Sequence, residues 1–247
     1  MDKSIILIVG ALTSIGHATA LAFVDSGARL VVSGRREAEG KAFEAELRER
    51  RLDATFIRAD VRHDDDARNL IDQTVSRFGR IDAAINNAST EGQPGLMVEQ
   101  TAESYAVTFD TMLGTLLSMK HELRAMQPLK RGSIVNVSST YVHEGAAHTS
   151  VYVGSKHAVD GMTKSAALEG AAMGVRVNAV APGPTDTGML DRFTGTAERK
   201  ALLVSTLPPS RIGKPDDVAR AILFLVSDAA ASVTGQIVTV DGGKTAR

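Results

Sequence analysis

Seven short strand-like segments punctuate this chain, and a helix-like stretch separates each from the next. The first is Ile5–Val9, apolar at all five positions, and residues 29–33, 54–58, 83–86, 133–137, 176–181 and 237–240 follow. A strand exposed on one face alternates apolar with polar residues. Runs that are apolar at consecutive positions belong to strands covered on both sides. Helical spacing over residues 15–26, 36–51, 64–78, 102–126, 152–172 and 215–227 supplies the cover. Asp64, Asp65 and Asp66 open the third of these, where they complement the helix dipole. Pro215 stands in the first turn of the last. The predicted fold class is α/β, a central parallel sheet flanked by helices on both faces. Residues 182–209 read as the one extended irregular region, with Pro182-Gly183-Pro184, Thr194-Gly195-Thr196 and Pro208-Pro209. A loop-rich segment of that length is often a functional lid.

Composition narrows the classes of function. A formal net charge of -1 over 247 residues leaves no electrostatic footprint for nucleic acid or an anionic membrane. Tryptophan is absent and aromatic residues make up 4%, which argues against stacking platforms for single-stranded nucleic acid. There is no cysteine, so disulfides, thiolate catalysis and cysteine metal sites are excluded, and a reducing cytoplasm fits. The histidines show no His-x-x-x-His spacing, so no metal site is expected. The apolar run behind Met1-Asp2-Lys3-Ser4 ends at Val9. That is too short for a signal-peptide core or a membrane span, and the chain reads as soluble and unexported.

Two local patterns carry chemistry. Tyr152 and Lys156 stand four residues apart, and Ser139 lies thirteen upstream of Tyr152. On a helix, positions i and i+4 share a face, so the ammonium is expected beside the phenol and should lower its pKa. The Ser139 hydroxyl can hold a substrate oxygen against the same phenol. Together these groups can move a proton on or off a carbonyl or alcohol oxygen. The alternative is a packed tyrosine and a solvated lysine. The second pattern is Val9-Gly-Ala-Leu-Thr-Ser-Ile-Gly16, between the first strand and the first helix. Gly10 permits a tight turn and Gly16 lets the helix pack close, so that free N–H groups face an anion such as a dinucleotide pyrophosphate. Plain structural punctuation is the competing reading.

Gly10-x-x-x-Ser14-Ile15-Gly16, Asn86-Asn87-Ala88, Ser139, Tyr152-x-x-x-Lys156, Pro182-Gly183 with Thr187, and Asp241-Gly242-Gly243 occur in a fixed order. In order and spacing they resemble the short-chain dehydrogenase/reductase family, from Ile5 to Gly243. The resemblance implies a single doubly wound Rossmann-type domain over residues 1–247, with a substrate lid at about 188–208. It implies an oxidoreductase that interconverts a carbonyl compound and an alcohol by hydride transfer with a nicotinamide cofactor. Tyr152 would be the general acid or base, Lys156 its partner and a ligand of the nicotinamide ribose, and Ser139 the group that polarises the substrate oxygen. Gly10, Ser14, Ile15 and Gly16 would border the pyrophosphate, Asp60 and Val61 the adenine, and Asn87 and Ala88 the nicotinamide ribose. Thr187, after Pro182 and Gly183, would hold the carboxamide. A homotetramer is also implied.

Charge favours NADP over NAD. An NAD-selective site typically ends its second strand on an acid, but Gly34 holds that place and Arg35 follows. A guanidinium suits a 2′-phosphate in charge and geometry. The sequence also departs from the family's pattern. Val9 stands where a threonine is common, Ser14 replaces the middle glycine, and Ser89 follows Asn-Asn-Ala where glycine is usual. Thr111, with Asp110 and Met112 as neighbouring registers, stands where the family carries an asparagine that helps link the lysine to solvent. That loss motivates an alternative, a nucleotide-binding sensor or scaffold with little turnover. His143, Glu144 and His148 lie between Ser139 and Tyr152, and one of them is a candidate substrate contact.

Overall fold

The computed structural model describes residues 4–24 and 26–246, so the reading of residues 1–3 lies outside the described part. The strands are β1 (Ile5–Val9), β2 (Arg29–Gly34), β3 (Asp53–Arg58), β4 (Ala83–Asn86), β5 (Gly132–Val137), β6 (Val175–Pro182) and β7 (Ile237–Val240). They alternate with helices α1 (Ser14–Ala22), α2 (Glu37–Glu49), α3 (Asp64–Phe78), α4 (Ala102–Met126) and α5 (Ser150–Ala172). Helices α6 (Gly188–Thr194), α7 (Ala197–Thr206) and α8 (Pro215–Val226) follow β6. All pairings are parallel, in the order β3-β2-β1-β4-β5-β6-β7.

Strand residues feed two cores in turn. Ile6 and Ile8 of β1 join Leu30 and Val32 of β2 and pack on Phe43 and Leu47 of α2 and Val218, Ile222 and Leu225 of α8. Leu7 and Val9 point the other way, to Leu70 and Ile71 of α3, Met119 and Met126 of α4, and Ala166 and Ala167 of α5. This period-two division explains why β1 is apolar throughout. Ile8 is fully buried, so Ile8→Ala should cost about 2–5 kcal/mol.

The chain winds outward from β1 to β3, then returns to β4 on the other side of β1. Connections from neighbouring strands β1 and β4 therefore leave in opposite directions, which opens a crevice at their carboxyl ends. One expectation needs correction. Residues 182–209 are not loop-rich, because α6 and α7 occupy most of the segment. Each helix starts on a capping threonine. Thr187 Oγ1 accepts from Leu190 N at 3.2 Å, and Thr196 Oγ1 accepts from Arg199 N at 3.3 Å. Helix α1 also stops at Ala22, short of residue 26, because Phe23 N and Val24 N donate to carbonyls only three residues back.

Candidate active site

The turn after β1 is fixed by its glycines. Gly10 has φ +78°, and a Cβ there would stand 2.6 Å from Ala88 N. Gly10 N and Ala11 N both donate to Ser33 O, at 2.9 and 3.0 Å, which folds the chain back against β2. Gly16 lies close under the turn: a Cβ there would collide with Gly10 O and with Asn87 Nδ2 at 2.7 Å. Asn87 Nδ2 donates to Gly10 O at 2.8 Å, linking the end of β4 to the same turn. Ser14 has φ +49°, a left-handed conformation in which the glycine usual at this place carries no strain. No side chain caps the start of α1, and no acid stands in its first turn. An uncapped helix end in a crevice is suited to a phosphate group.

The ends of β2 and β3 carry the second cluster. Arg62 is bidentate on Asp60, with Nε 2.8 Å from Oδ1 and Nη2 2.6 Å from Oδ2. That bond outweighs burial and holds the Asp60 carboxyl at about 2. Asp60 N donates to Asp66 Oδ2 at 2.9 Å, so the acidic start of α3 also shapes this loop. Arg36 pairs with Glu39 at 2.7 Å. Arg35 is exposed and has no ion-pair partner among the described residues.

The third cluster joins β5 to α5. Ser139, 8% exposed, follows β5, and its Oγ accepts from Tyr141 N at 3.3 Å and bonds the Tyr152 phenol. Lys156, 5% exposed, donates from Nζ to Val137 O at 3.0 Å. Its Nζ lies 5.6 Å from the Tyr152 ring centre. The expected lowering of the phenol pKa does not occur in this arrangement. Burial pushes Tyr152 up to about 12, against the Ser139 bond and with added repulsion from Tyr141 and Glu91. Burial also brings Lys156 down to about 8, which the Asp160 carboxylate opposes from one turn along α5. An ammonium committed to Val137 O relieves the phenol less than desolvation penalises it.

The three clusters line one cleft of about 860 Å³. Gly10, Ser14, Ile15, Arg35, Asp60, Val61, Asn87, Ala88, Ser139, Tyr152, Lys156, Pro182, Gly183 and Thr187 all face it. Gly16 does not, and acts instead through the close packing described above. Thr111 lines the cleft, whereas Asp110 and Met112 do not. His143, Glu144 and His148 also lie off the cleft. His143 Nε2 meets Thr239 Oγ1 at 3.2 Å, Glu144 pairs with Lys244, and the His148 carbonyl accepts from Gly95 N at 2.9 Å. From this connection it is Tyr141 that lines the cleft, its ring centre 6.2 Å from that of Tyr152 and 6.4 Å from that of Phe193. Glu91 and Arg192, an ion pair lining the cleft, were also not anticipated. No local pattern announces a pair 101 residues apart.

A family profile described as enoyl-(acyl carrier protein) reductase matches residues 10–245. The chain belongs to the short-chain dehydrogenase/reductase family. It is 37% identical over 245 residues to cis-4-hydroxycyclohexanecarboxylate dehydrogenase of Sinomonas cyclohexanicum, covering 99% of this chain and 97% of that protein. It is also 37% identical over 245 residues to 2,5-dichloro-2,5-cyclohexadiene-1,4-diol dehydrogenase of Sphingobium indicum, covering 98% and 96%. A solved variant of actinorhodin polyketide ketoreductase with NADPH superposes with a TM-score of 0.94 at 31% identity, covering 100% of this chain and 98% of that one. The protein is thus an NAD(P)-dependent oxidoreductase acting between alcohol and carbonyl groups. No helix among the described residues is long and apolar enough to cross a membrane.

Proposed function

We propose that this enzyme is an NADP-dependent reductase and dehydrogenase of ring-sized carbonyl and alcohol compounds, with Tyr152 as its acid and base. The observation that carries the reading is the meeting of Ser139, Tyr152 and Lys156 on the cleft wall beside the uncapped start of α1. Gly10, Ser14, Ile15 and Gly16 would hold the pyrophosphate, Asp60 and Val61 the adenine, and Asn87, Ala88 and Lys156 the nicotinamide ribose. Pro182, Gly183 and Thr187 would hold the carboxamide. When bound, the nicotinamide supplies or takes the hydride.

The residues of the chain handle the oxygen. The Ser139 hydroxyl donates to the substrate carbonyl and fixes its direction. A phenol near 12 is fully protonated at neutral pH, the state required of a proton donor. As negative charge builds on the substrate oxygen, that oxygen becomes more basic than the phenolate, and the proton passes from Tyr152 to it. The Lys156 ammonium, close to the ring, stabilises the phenolate that remains. Alcohol oxidation runs the same proton in reverse. Thr111 offers a hydroxyl where the family carries an asparagine, so the link from Lys156 to solvent differs here.

Selection of NADP rests on Arg35. It is exposed at the end of β2, without an ion-pair partner among the described residues, while Arg36 and Arg62 are each engaged by an acid. The ring-sized substrate follows from the apolar wall of Tyr141, Phe193, Met189 and Leu203, and from the cyclic substrates named for both relatives. Helices α6 and α7 would form the lid. We also retain a homotetramer, supported by the exposed Tyr105, Leu113 and Leu116 along one stripe of α4. The absence of cysteine suits a cytoplasmic setting.

The test follows cofactor absorbance with NADPH and with NADH over a panel of cyclic and open-chain ketones. Turnover of cyclic ketones with NADPH, at least tenfold faster than with NADH, is expected. Tight NADPH binding without turnover of any carbonyl would favour a nucleotide sensor instead.

A further inference from the structure

We infer that the Glu91–Arg192 ion pair is the charge filter of the substrate end of the cleft and restricts the enzyme to uncharged substrates. Glu91 lies in the loop after β4 and Arg192 on α6, and both line the cleft. The contact is two-pronged: Arg192 Nε meets Oε1, and Nη2 donates to Oε2 at 3.2 Å. Burial pushes the Glu91 carboxyl up, but the Arg192 guanidinium outweighs it, so the group is ionised at neutral pH. Its charge reaches the reaction centre, since it helps to raise the Tyr152 phenol. A carboxylate on a substrate seated at that phenol enters the same field.

Lys156, beside the Tyr152 ring, is committed to Val137 O, and among the described residues the other cations at this end are paired with acids. Arg192 directs two of its donor groups to Glu91, and the Lys244 ammonium pairs with Glu144 while lying 5.4 Å from the Tyr141 ring centre. The remaining surface, from Tyr141, Phe193, Met189 and Leu203, offers an acid no charged partner. Binding an anionic substrate through Arg192 requires breaking the pair and leaving Glu91 unpaired in a half-closed cleft, which disfavours it. The same pair ties α6 to the loop after β4.

The filter rests on the functional reading above and deepens it. The experiment compares kcat/KM for 4-methylcyclohexanone and 4-oxocyclohexanecarboxylate in the full-length enzyme with NADPH. Three variants accompany the wild type: Glu91→Gln, Arg192→Gln and the double variant. The wild type should prefer the neutral ketone at least tenfold. Glu91→Gln, which releases Arg192, should move the ratio at least tenfold toward the acid. Arg192→Gln should move it further from the acid, and the double variant should lie between the two singles. A wild type that takes the acid as readily as the neutral ketone would overturn the filter alone. So would a ratio unchanged in Glu91→Gln. A wild type that binds NADPH yet reduces neither ketone would overturn the functional reading and the filter with it.

Discussion

Replacing Lys156 with methionine should make the cofactor-free protein more stable while disabling it. Lys156 is 5% exposed, and burial lowers its ammonium from an ordinary 10.5 to about 8. That displacement corresponds to about 3 kcal/mol of folding stability lost by keeping the charge inside. Methionine fills similar volume without the charge, but it gives up the bond to Val137 O, which contributes about 1 kcal/mol. The net gain at pH 7 is about 2 kcal/mol, or about 4–8 °C in Tm for a chain of this size. The pH dependence has a definite sign. Between pH 8 and 10.5 the unfolded wild type holds the proton more tightly than the folded one, so wild-type stability rises with pH there. The advantage of the variant should be constant below pH 8, shrink as pH rises, and reverse by pH 10.5 to about 1 kcal/mol in favour of wild type, which keeps its bond to Val137 O. Urea unfolding of both proteins at several pH values, without cofactor, measures it. A variant no more stable than wild type at pH 7, or a gap that ignores pH, would refute the reasoning. NADPH-dependent turnover should fall about a hundredfold or more.

Two further outcomes can be checked separately. Arg35→Asp should weaken NADPH binding about ten- to a hundredfold, the loss of one charge-assisted contact, and should improve NADH binding, as read by cofactor fluorescence titration. Glu122→Gln should flatten an acid-side stability profile. Glu122 is fully buried and accepts from Asn86 Nδ2 at 3.0 Å, and burial raises its carboxyl from 4.5 to about 7. The folded state therefore holds this proton more tightly, and wild-type stability should fall as pH rises from 4.5 to 7 and then level off. Glutamine keeps the acceptor, so the variant should be about 3 kcal/mol more stable at pH 8.

The sheet was legible because each strand declares itself locally: β1 is apolar on both faces, and the spacing of α3 and α4 marks their full lengths. The lid was not, because its glycines and prolines masked two short helices. The capping Thr187 and Thr196 were the available signal. Site residues on one element could be found by counting, as with Tyr152 and Lys156. Glu91 and Arg192 could not, since their meeting depends on how α6 approaches the loop after β4. The direction of the Tyr152 shift was also out of reach. Sequence spacing places an ammonium near a phenol, but whether its charge or the burial prevails depends on where Nζ points, and here it points to Val137 O.

The central claim is that the Tyr152 hydroxyl delivers the proton. Steady-state reduction of a cyclic ketone by Tyr152→Phe, with NADPH binding measured on the same sample, tests it most directly. A fall in kcat of a hundredfold or more, with the NADPH Kd within about threefold of wild type, is the expected result. A kcat within tenfold of wild type, with NADPH still bound, would contradict it.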